Sequence, residues 1–389
     1  MSTILNLSNK IRLENDIERL LLNTYSGAAA AYSLRKLDNK YTSDAIRVRR
    51  SSDNAEQNIG FVSNELDTAS LETFVNSGNV FLNPDITSAS SWTIGNSTTY
   101  NAATEAFDLS NETGLTVRQS KATANHTYTI TIVIENVTSG GIKVYAGGTQ
   151  SAVISTAGTH TLNITAGSSN DILGINPNGT ATCSISSFYA VDTTADGFVA
   201  IWYDQSGNAA NAAQASASAQ PKIVSSGSTI LVNSNPTLEF NGTSYYLQAS
   251  TINVPQPTSY FITYKHNNFS SDVYNDLSDG NVSRQLNDNT GGGYARAFGG
   301  ASLSSSILGS INQELRYSLF NGSSSALGIN GGTLDTGNAG TLAIQDMNIG
   351  KSGGFSLDGN IQEFIIYPTN QSTNRSGIET NINDHYSIY

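Results

Sequence analysis

Two spacings of hydrophobic residues divide this chain. In "SNKIRLENDIERLLLNT", residues 8–24, Ile11, Leu13, Ile17, Leu20 and Leu21 recur at roughly helical spacing, and Ser8 stands where a cap belongs. "AAAAYSLRKL", from Ala28 to Leu37, predicts a second short helix. "NELDTASLETFV", from Asn64 to Val75, predicts another, and "NRSGIETNINDHYSIY" a C-terminal one. Elsewhere the period is two. "AIRVRRSSDN" alternates as a strand entering a turn. From about Asn79 to about Ala195 the chain is a run of short alternating strands, clearest in "HTYTITIVIENV" and "GTHTLNITAG". Turn residues separate them, as in "SGG", "AGG" and "NPNG". Past Ala195, "SNPTLEFNGTSYYLQAS", "TSYFITYKHN", "LRYSLFNG" and "IQEFIIYPT" read as strands joined by turns of the Asn-Gly and Asp-Gly kind.

These patterns predict a mostly β chain of two sandwiches with a short N-terminal helical segment. The stretch before the middle run ends "LETFVNSGN", and the stretch after it begins "DGFVAIWYDQSGN". Joined directly, they give a helix, a glycine turn and a strand. The expected organisation is therefore one domain interrupted by another, because the N-terminal piece alone is too small to bury a core. Residues 28–78 and 196–389 form the host, 79–195 the insertion, and 1–27 a helix available as an anchor or oligomer contact.

Composition narrows the partners. Charged residues make up only 13% of the 389 positions and the net charge is −12, which disfavours nucleic acid as a ligand. The one basic cluster, "RVRR" from Arg47 to Arg50, sits in a strand pattern and reads as a paired, solvated face. Cys183 is the single cysteine, so no intrachain disulfide forms; its strand pattern marks it as core. No apolar run approaches membrane-spanning length. The start "MSTILNLSNKIRLEND" has neither the basic start nor the apolar core of an export signal, so synthesis in a cytoplasm is expected. A neutral Ser/Thr/Asn/Gly surface on such a chain suits a virus particle, made inside a cell and used outside it.

Three resemblances extend this reading. "NPDITSASSWTIG", "HTYTITIVIENVTSGGIKVYAGG" and "TATCSISSFYAVD" together resemble jelly-roll carbohydrate-binding modules. "YSGAAAAYSLRK", "AIRVRRSSDNAEQNIGF" and "VAIWYDQSGNAANAAQ" resemble the catalytic domain of the fungal arabinofuranosidase B family, and also a set of bacteriophage virion proteins. "FSLDGNIQEFIIYPT" followed by "GIETNINDHY" is similar to the closing strand and helix of laminin-G and concanavalin-like domains. The implied fold class is a concanavalin A-like β-sandwich carrying an inserted jelly roll. The implied role is a spike, fibre or adhesin of a phage virion, binding host-surface glycans. It would be a homo-oligomer, a trimer by analogy with spikes, contacting other virion proteins through its N-terminal segment.

The enzyme activity of the resembled family does not carry over residue by residue. Retaining glycosidases need two nearby carboxyl groups. Lys351 and Ser352, in "IGKSGGFSLDG", stand where the resemblance places the acid. The family's Asp-x-Glu nucleophile context has no counterpart near "GGGYARAFGG", and its adjacent cysteine pair is missing. The chain is therefore expected not to be an enzyme. Two alternatives stand beside the adhesin: a hydrolase using some other carboxylate pair, and a virion component with no ligand. Asp272, Asp276 and Asp279 cluster in "SDVYNDLSDGN"; they form a solvated loop or a calcium site, calcium being the one candidate cofactor. His126, His160, His266 and His385 lack metal-ligand spacing. Trp92, Tyr245, Tyr246 and Tyr294 lie beside turns and are the candidates for stacking on sugars. Trp202, in "FVAIWY", reads as core. Asp204, Ser206, Gly207 and Asn208 read as a turn held by the Asp side chain, with Asp204→Ala costing about 1–2 kcal/mol.

Overall fold

The computed structural model describes residues 20–267, 277–279, 285–288, 294–352 and 355–389; of 277–279, 285–288, 345, 352 and 355 it describes the backbone alone. The expected helix over residues 8–24 lies mostly outside the described residues, which begin with a helical turn, Leu21–Thr24.

The strand Asp358–Tyr367 organises the host. It pairs antiparallel with Ala30–Ser33 and Thr258–His266, and its first half with Leu238–Asn241. Its sequence does not alternate, because both faces are covered. Ile361, Phe364 and Ile366 enter one apolar core, while Ile365 and Tyr367 enter another. The second core lies under the C-terminal helix Arg375–Tyr386, whose Ile378, Ile382 and Tyr386 recur every fourth residue and are buried. Outward from the centre, Thr258–His266 pairs with Gln313–Phe320, which pairs with Ser325–Ile329. The opposing layer contains Leu247–Val254, Ile344–Ile349, Tyr294–Phe298 and Ser302–Leu308. The result is a mostly β, sandwich-like host with a helix on one outer face.

The segment from Ala28 to Leu37 is not helical. Ala30–Ser33 is a strand, each of its residues buried, with Ala30 facing one core and Ala31 the other. Alanine favours helix intrinsically, but a two-sided burial site beside Asp358–Tyr367 admits only small residues, and pairing overrides propensity. The helix expected from Asn64 begins later, at Thr68, with the Asp67 carboxylate accepting from the Ser70 N–H as its cap. Ser63 and Asn64 turn a hairpin instead, both at positive φ, joining Phe61–Val62 to Glu65–Leu66.

Between residues 98 and 192 the chain forms two sheets of its own. One has the order Gly158–Thr165, Thr127–Ser139, Ala181–Asp192, Ala106–Glu112, Thr98–Asn101; the other Thr149–Gln150, Ile142–Ala146, Ile172–Pro177, Thr116–Ser120. Here the alternation in "TYTITIVI" maps directly onto burial, with Tyr128, Ile130, Ile132 and Ile134 inside. Their core, with Phe81, Phe107, Cys183 and Phe188, is separate from the two host cores. Burial pushes the Cys183 thiol up to about 11, with Asp108 adding to it, so the thiol stays protonated and inert.

Host pairing resumes across this segment. Gly197–Trp202 lies antiparallel to Ile46–Arg50, with Gly197 opposite Arg50 and Trp202 opposite Ile46. The two ends of the intervening segment are neighbours: the Asp192 N–H reaches the Gly78 carbonyl at 3.4 Å, and Asn79 bridges to Val191. Trp202 is fully buried and packs on Tyr32.

Candidate functional site

The motif "DQSGN", Asp204 to Asn208, is a hydrogen-bond clasp. Asp204 Oδ1 accepts from the backbone N–H groups of Ala31, at 2.8 Å, and Ser206, at 2.9 Å. Its Oδ2 accepts from the Ser206 hydroxyl at 2.7 Å and the Ala210 N–H at 3.0 Å. Gln205 is buried; its carbonyl accepts from the Leu37 N–H, and its amide donates to the carbonyls of Ser33 and Arg35. Asn208 donates to the carbonyls of Ala28 and Ala29. Gly207 sits at φ +88°, a conformation that costs glycine nothing. The clasp thus ties the chain after the intervening segment to the strand Ala30–Ser33 before it. Both carboxylate oxygens of Asp204 are thus occupied by donors of the protein itself.

Beside the clasp opens a cavity of about 470 Å³. Its lining includes Lys40, Tyr41, Asp44, Asn58, Tyr203 and Asn211, with Asp204. The Tyr203 hydroxyl donates to Asn58 Oδ1 at 3.0 Å, and the Tyr41 hydroxyl to the Asp44 carbonyl at 2.9 Å. Burial, then the nearby Asp204 and Asp44 carboxylates, push the Tyr41 phenol up, so it remains a neutral donor. Two half-buried rings, two carboxamides and two carboxylates, Asp44 and the buried Asp204, give apolar faces flanked by polar groups. That is the chemistry of a sugar-binding cleft, in which ring C–H faces stack on aromatics and hydroxyls bond to amides and carboxylates.

The cavity ends a longer surface. Along the paired strands the inward side chains are Ile46, Val48, Val199 and Trp202, all buried. The other side carries Arg47, Arg49, Phe198, Ile201 and, on the adjoining strand Glu56–Ile59, Glu56 and Asn58. The "RVRR" cluster is therefore not uniformly solvated. Arg47 is exposed and pairs with Glu56, and Arg50 pairs with Asp53, but Arg49 is only 8% exposed.

The aromatic candidates fall in different places. Trp92 is core: it is 8% exposed, stacks on Phe188 at 5.9 Å, and donates its indole N–H to the Asn83 carbonyl. Its rings pack against Phe81 and Phe107 as well, leaving no face for a sugar, so its turn-rich context in the sequence misleads. Tyr245 is half-buried and meets Phe198 edge-on at 6.1 Å. Tyr246 lies under the Lys351 ammonium, 4.7 Å from its ring centre. Tyr294 is 37% exposed and stands opposite Leu308 in the pairing of Tyr294–Phe298 with Ser302–Leu308. Asp272 and Asp276 lie outside the described residues, as does the Asp279 side chain; among the described residues no cluster of His, Cys, Asp and Glu is arranged to hold a metal ion.

A second cavity, about 350 Å³, is lined by Leu20, Arg35, Glu65, Asp384 and His385 among others. Its chief charge serves the fold: Arg35 holds the buried Glu363 through two bonds of 2.8 and 3.0 Å, with Ser33 adding a third at 2.7 Å. Tyr41, Asp44, Asn58, Tyr203 and Asn211 were not singled out by sequence. Tyr203 and Asn211 were the readable ones, flanking Asp204 in the sequence; Asn58 comes from the strand Glu56–Ile59, and Tyr41 and Asp44 from the loop before Ile46–Arg50.

No protein-family model matches the chain, and no curated protein matches it. Among solved structures it is similar to a GH54 a-l-arabinofuranosidase soaked with a cyclic sulfate inhibitor: 10% identity and a TM-score of 0.50, over 91% of this chain and 62% of that one. A Glu-to-Gln mutant of a GH54 a-l-arabinofuranosidase, soaked with 4-nitrophenyl a-l-arabinofuranoside, matches over the same shares at 11% identity and a TM-score of 0.50. A Trypanosoma rangeli sialidase in complex with sialic acid overlaps 47% of this chain and 31% of its own, at 11% identity and a TM-score of 0.35. The chain spans less than two thirds of the length of the arabinofuranosidases it matches. At such identities the likeness to the arabinofuranosidases is one of fold: their β-sandwich architecture is present here.

Proposed function

We propose that this chain is a non-catalytic glycan-binding protein that serves as an attachment component of a bacteriophage particle. The observation that carries the binding role is the cavity beside the clasp, walled by Tyr41 and Tyr203 and edged by Asn58, Asn211 and Asp44. Its second carboxylate, Asp204, is engaged through both oxygens. A retaining hydrolase needs two working carboxyl groups about 5–5.5 Å apart, and an inverting one needs a pair with room for water. This cavity offers one, Asp44. The particle role rests on the motif resemblance to virion proteins and on the neutral, Ser/Thr/Asn-rich surface.

A glycan array with bacterial surface polysaccharides tests the binding role, and Tyr203→Ala is the decisive variant. Loss of one ring face and one hydroxyl is expected to weaken binding about tenfold or more while leaving the fold intact. Release of reducing sugar from the same polysaccharides overturns the non-catalytic reading. Absence of binding across the array, with the protein still found by mass spectrometry in purified particles, leaves a structural virion component.

A further inference from the structure

From the geometry of Arg49 we infer that the glycan-binding face carries a subsite for an acidic sugar, one bearing a single carboxylate or phosphate group. The inference rests on the glycan-binding reading above and names the ligand class of the same surface. Arg49 is 8% exposed. Its three nitrogens donate to neutral acceptors: Gln220 Oε1 at 2.7 Å, Asn54 Oδ1 at 2.8 Å and the Ala217 carbonyl at 3.1 Å. A guanidinium has five N–H donors, so these three bonds leave two unused.

The other charges on this face compensate one another. Arg47 pairs with Glu56 at 2.7 Å, and Lys222 with Asp196 at 2.7 Å. Arg49 pairs with no carboxylate among the described residues. Burial lowers its affinity for its proton, and Glu56 and Tyr245 only partly offset that. Glu56, opposite Arg49 across the strands, is committed to Arg47, so the Arg49 charge is only partly compensated, and a bound anion relieves the cost of its burial.

The surroundings fit a sugar ring as the carrier of that anion. Phe198 lies under the guanidinium, 4.8 Å from ring centre to Cζ, with Lys222 Nζ at 5.6 Å from the same ring and Tyr245 edge-on to it. Phe198 and Tyr245 are both half-buried. The positively charged fork beside two half-buried aromatic rings matches a pyranose with one acidic group. From Phe198 to Tyr203 the strand covers about 17 Å, so an oligosaccharide can occupy this subsite and the cavity beside the clasp together. Single-stranded nucleic acid also combines stacking with negative charge. It carries a charge on every nucleotide, however, and one partly compensated cation on a chain of net charge −12 does not suit it.

The test compares matched pairs of oligosaccharides on the intact protein by calorimetry. One pair is an oligosaccharide of neutral sugars carrying a single galacturonate residue and its carboxyl-reduced counterpart; the other is a bacterial polysaccharide fragment carrying a single phosphate and its dephosphorylated form. A preference of about tenfold for at least one anionic member, declining as salt is raised, is expected. The member preferred distinguishes carboxylate from phosphate. Arg49→Lys keeps the charge and loses the fork, and should abolish most of that preference, bringing the anionic members toward the affinity of the neutral ones. Because Arg49 also bonds three neighbours, Phe198→Leu provides a second variant outside that network and should reduce affinity for anionic members as well. Equal binding of anionic and neutral members overturns this inference and leaves the proposed function standing. Binding to none overturns both. Preference for a single-stranded oligodeoxynucleotide over every glycan overturns it in favour of a nucleic-acid ligand.

Discussion

Asp204 shows how one residue serves both fold and site. Its carboxylate collects four donors, among them the N–H groups of Ala31 and Ala210, both buried residues. Alanine there leaves those N–H groups without partners, at about 1–3 kcal/mol for each group wholly shut off from water. The expected loss is about 3 kcal/mol by urea unfolding, above the 1–2 kcal/mol suggested by a turn alone, because the clasp reaches across to another strand. A change below about 0.5 kcal/mol would mean the bonds are not formed in solution. The buried pair Arg35–Glu363 is the other fixed point. Burial acts to raise the Glu363 carboxyl, but the Arg35 guanidinium and the Ser33 hydroxyl outweigh it and hold it below the usual carboxylate range. A carboxyl lowered in the folded state contributes stability above its unfolded pKa and loses that contribution as pH falls through the folded one.

The C-terminal helix Arg375–Tyr386 gives a pH dependence at the scale of an element. His385, in its last turn, is depressed to about 4, first by burial and then by the nearby Arg35, with Glu363 opposing. The groups facing it are Arg35, Glu363 and Glu65, the last at 3.7 Å. Between about pH 6.5 and 4 the unfolded chain binds a proton here that the folded chain refuses, so stability falls as pH falls. The expected contribution is roughly 3 kcal/mol across that window. Calorimetry from pH 7 to 4 checks it: His385→Gln should flatten the decline, and an unaltered slope would show that the imidazole is hydrated. His126 acts with the opposite sign. Its bond to Asp192 raises it, so its contribution is present below about 6.5 and lost as pH rises through the raised value. How much of these elements was legible depends on burial. "TYTITIVI" was readable because one face meets a core and the other meets water. "AAAAYS" was not, because a strand covered on both sides shows no period, and only its partner Asp358–Tyr367 explains its small residues. The cavity was least legible: Tyr41, Asn58 and Tyr203 converge only once Ile46–Arg50 pairs with both Glu56–Ile59 and Gly197–Trp202.

At the scale of the whole molecule, the segment 79–195 should be removable. An unfolded insertion of that length would charge the host about 4–5 kcal/mol to bring its ends together. A folded one holds its ends together by its own structure, and here they are neighbours, with Asn79 bridging to Val191 and the Asp192 N–H reaching the Gly78 carbonyl. Its core shares no residue with those of the host. The host strands on either side meet directly, Gly197 opposite Arg50, and Ser51 and Asp196 exchange bonds through the Ser51 N–H and the Asp196 N–H. Replacing residues 79–195 by a short Gly-Ser linker is therefore expected to leave a cooperatively unfolding host, its melting temperature within about 5 °C of that of the intact chain. Every group assigned to the binding face, from Tyr41 to Tyr245, stays in that shortened chain, so its affinity for the same glycan should also persist. The excised segment alone should fold, since it keeps both its sheets and its whole core. If the host folds but binding disappears, the glycan contacts the inserted sandwich, and the face along Gly197–Trp202 is only part of the site. If the host fails to fold, the clasp at Asp204 is too weak to hold the two halves together without the insertion's help.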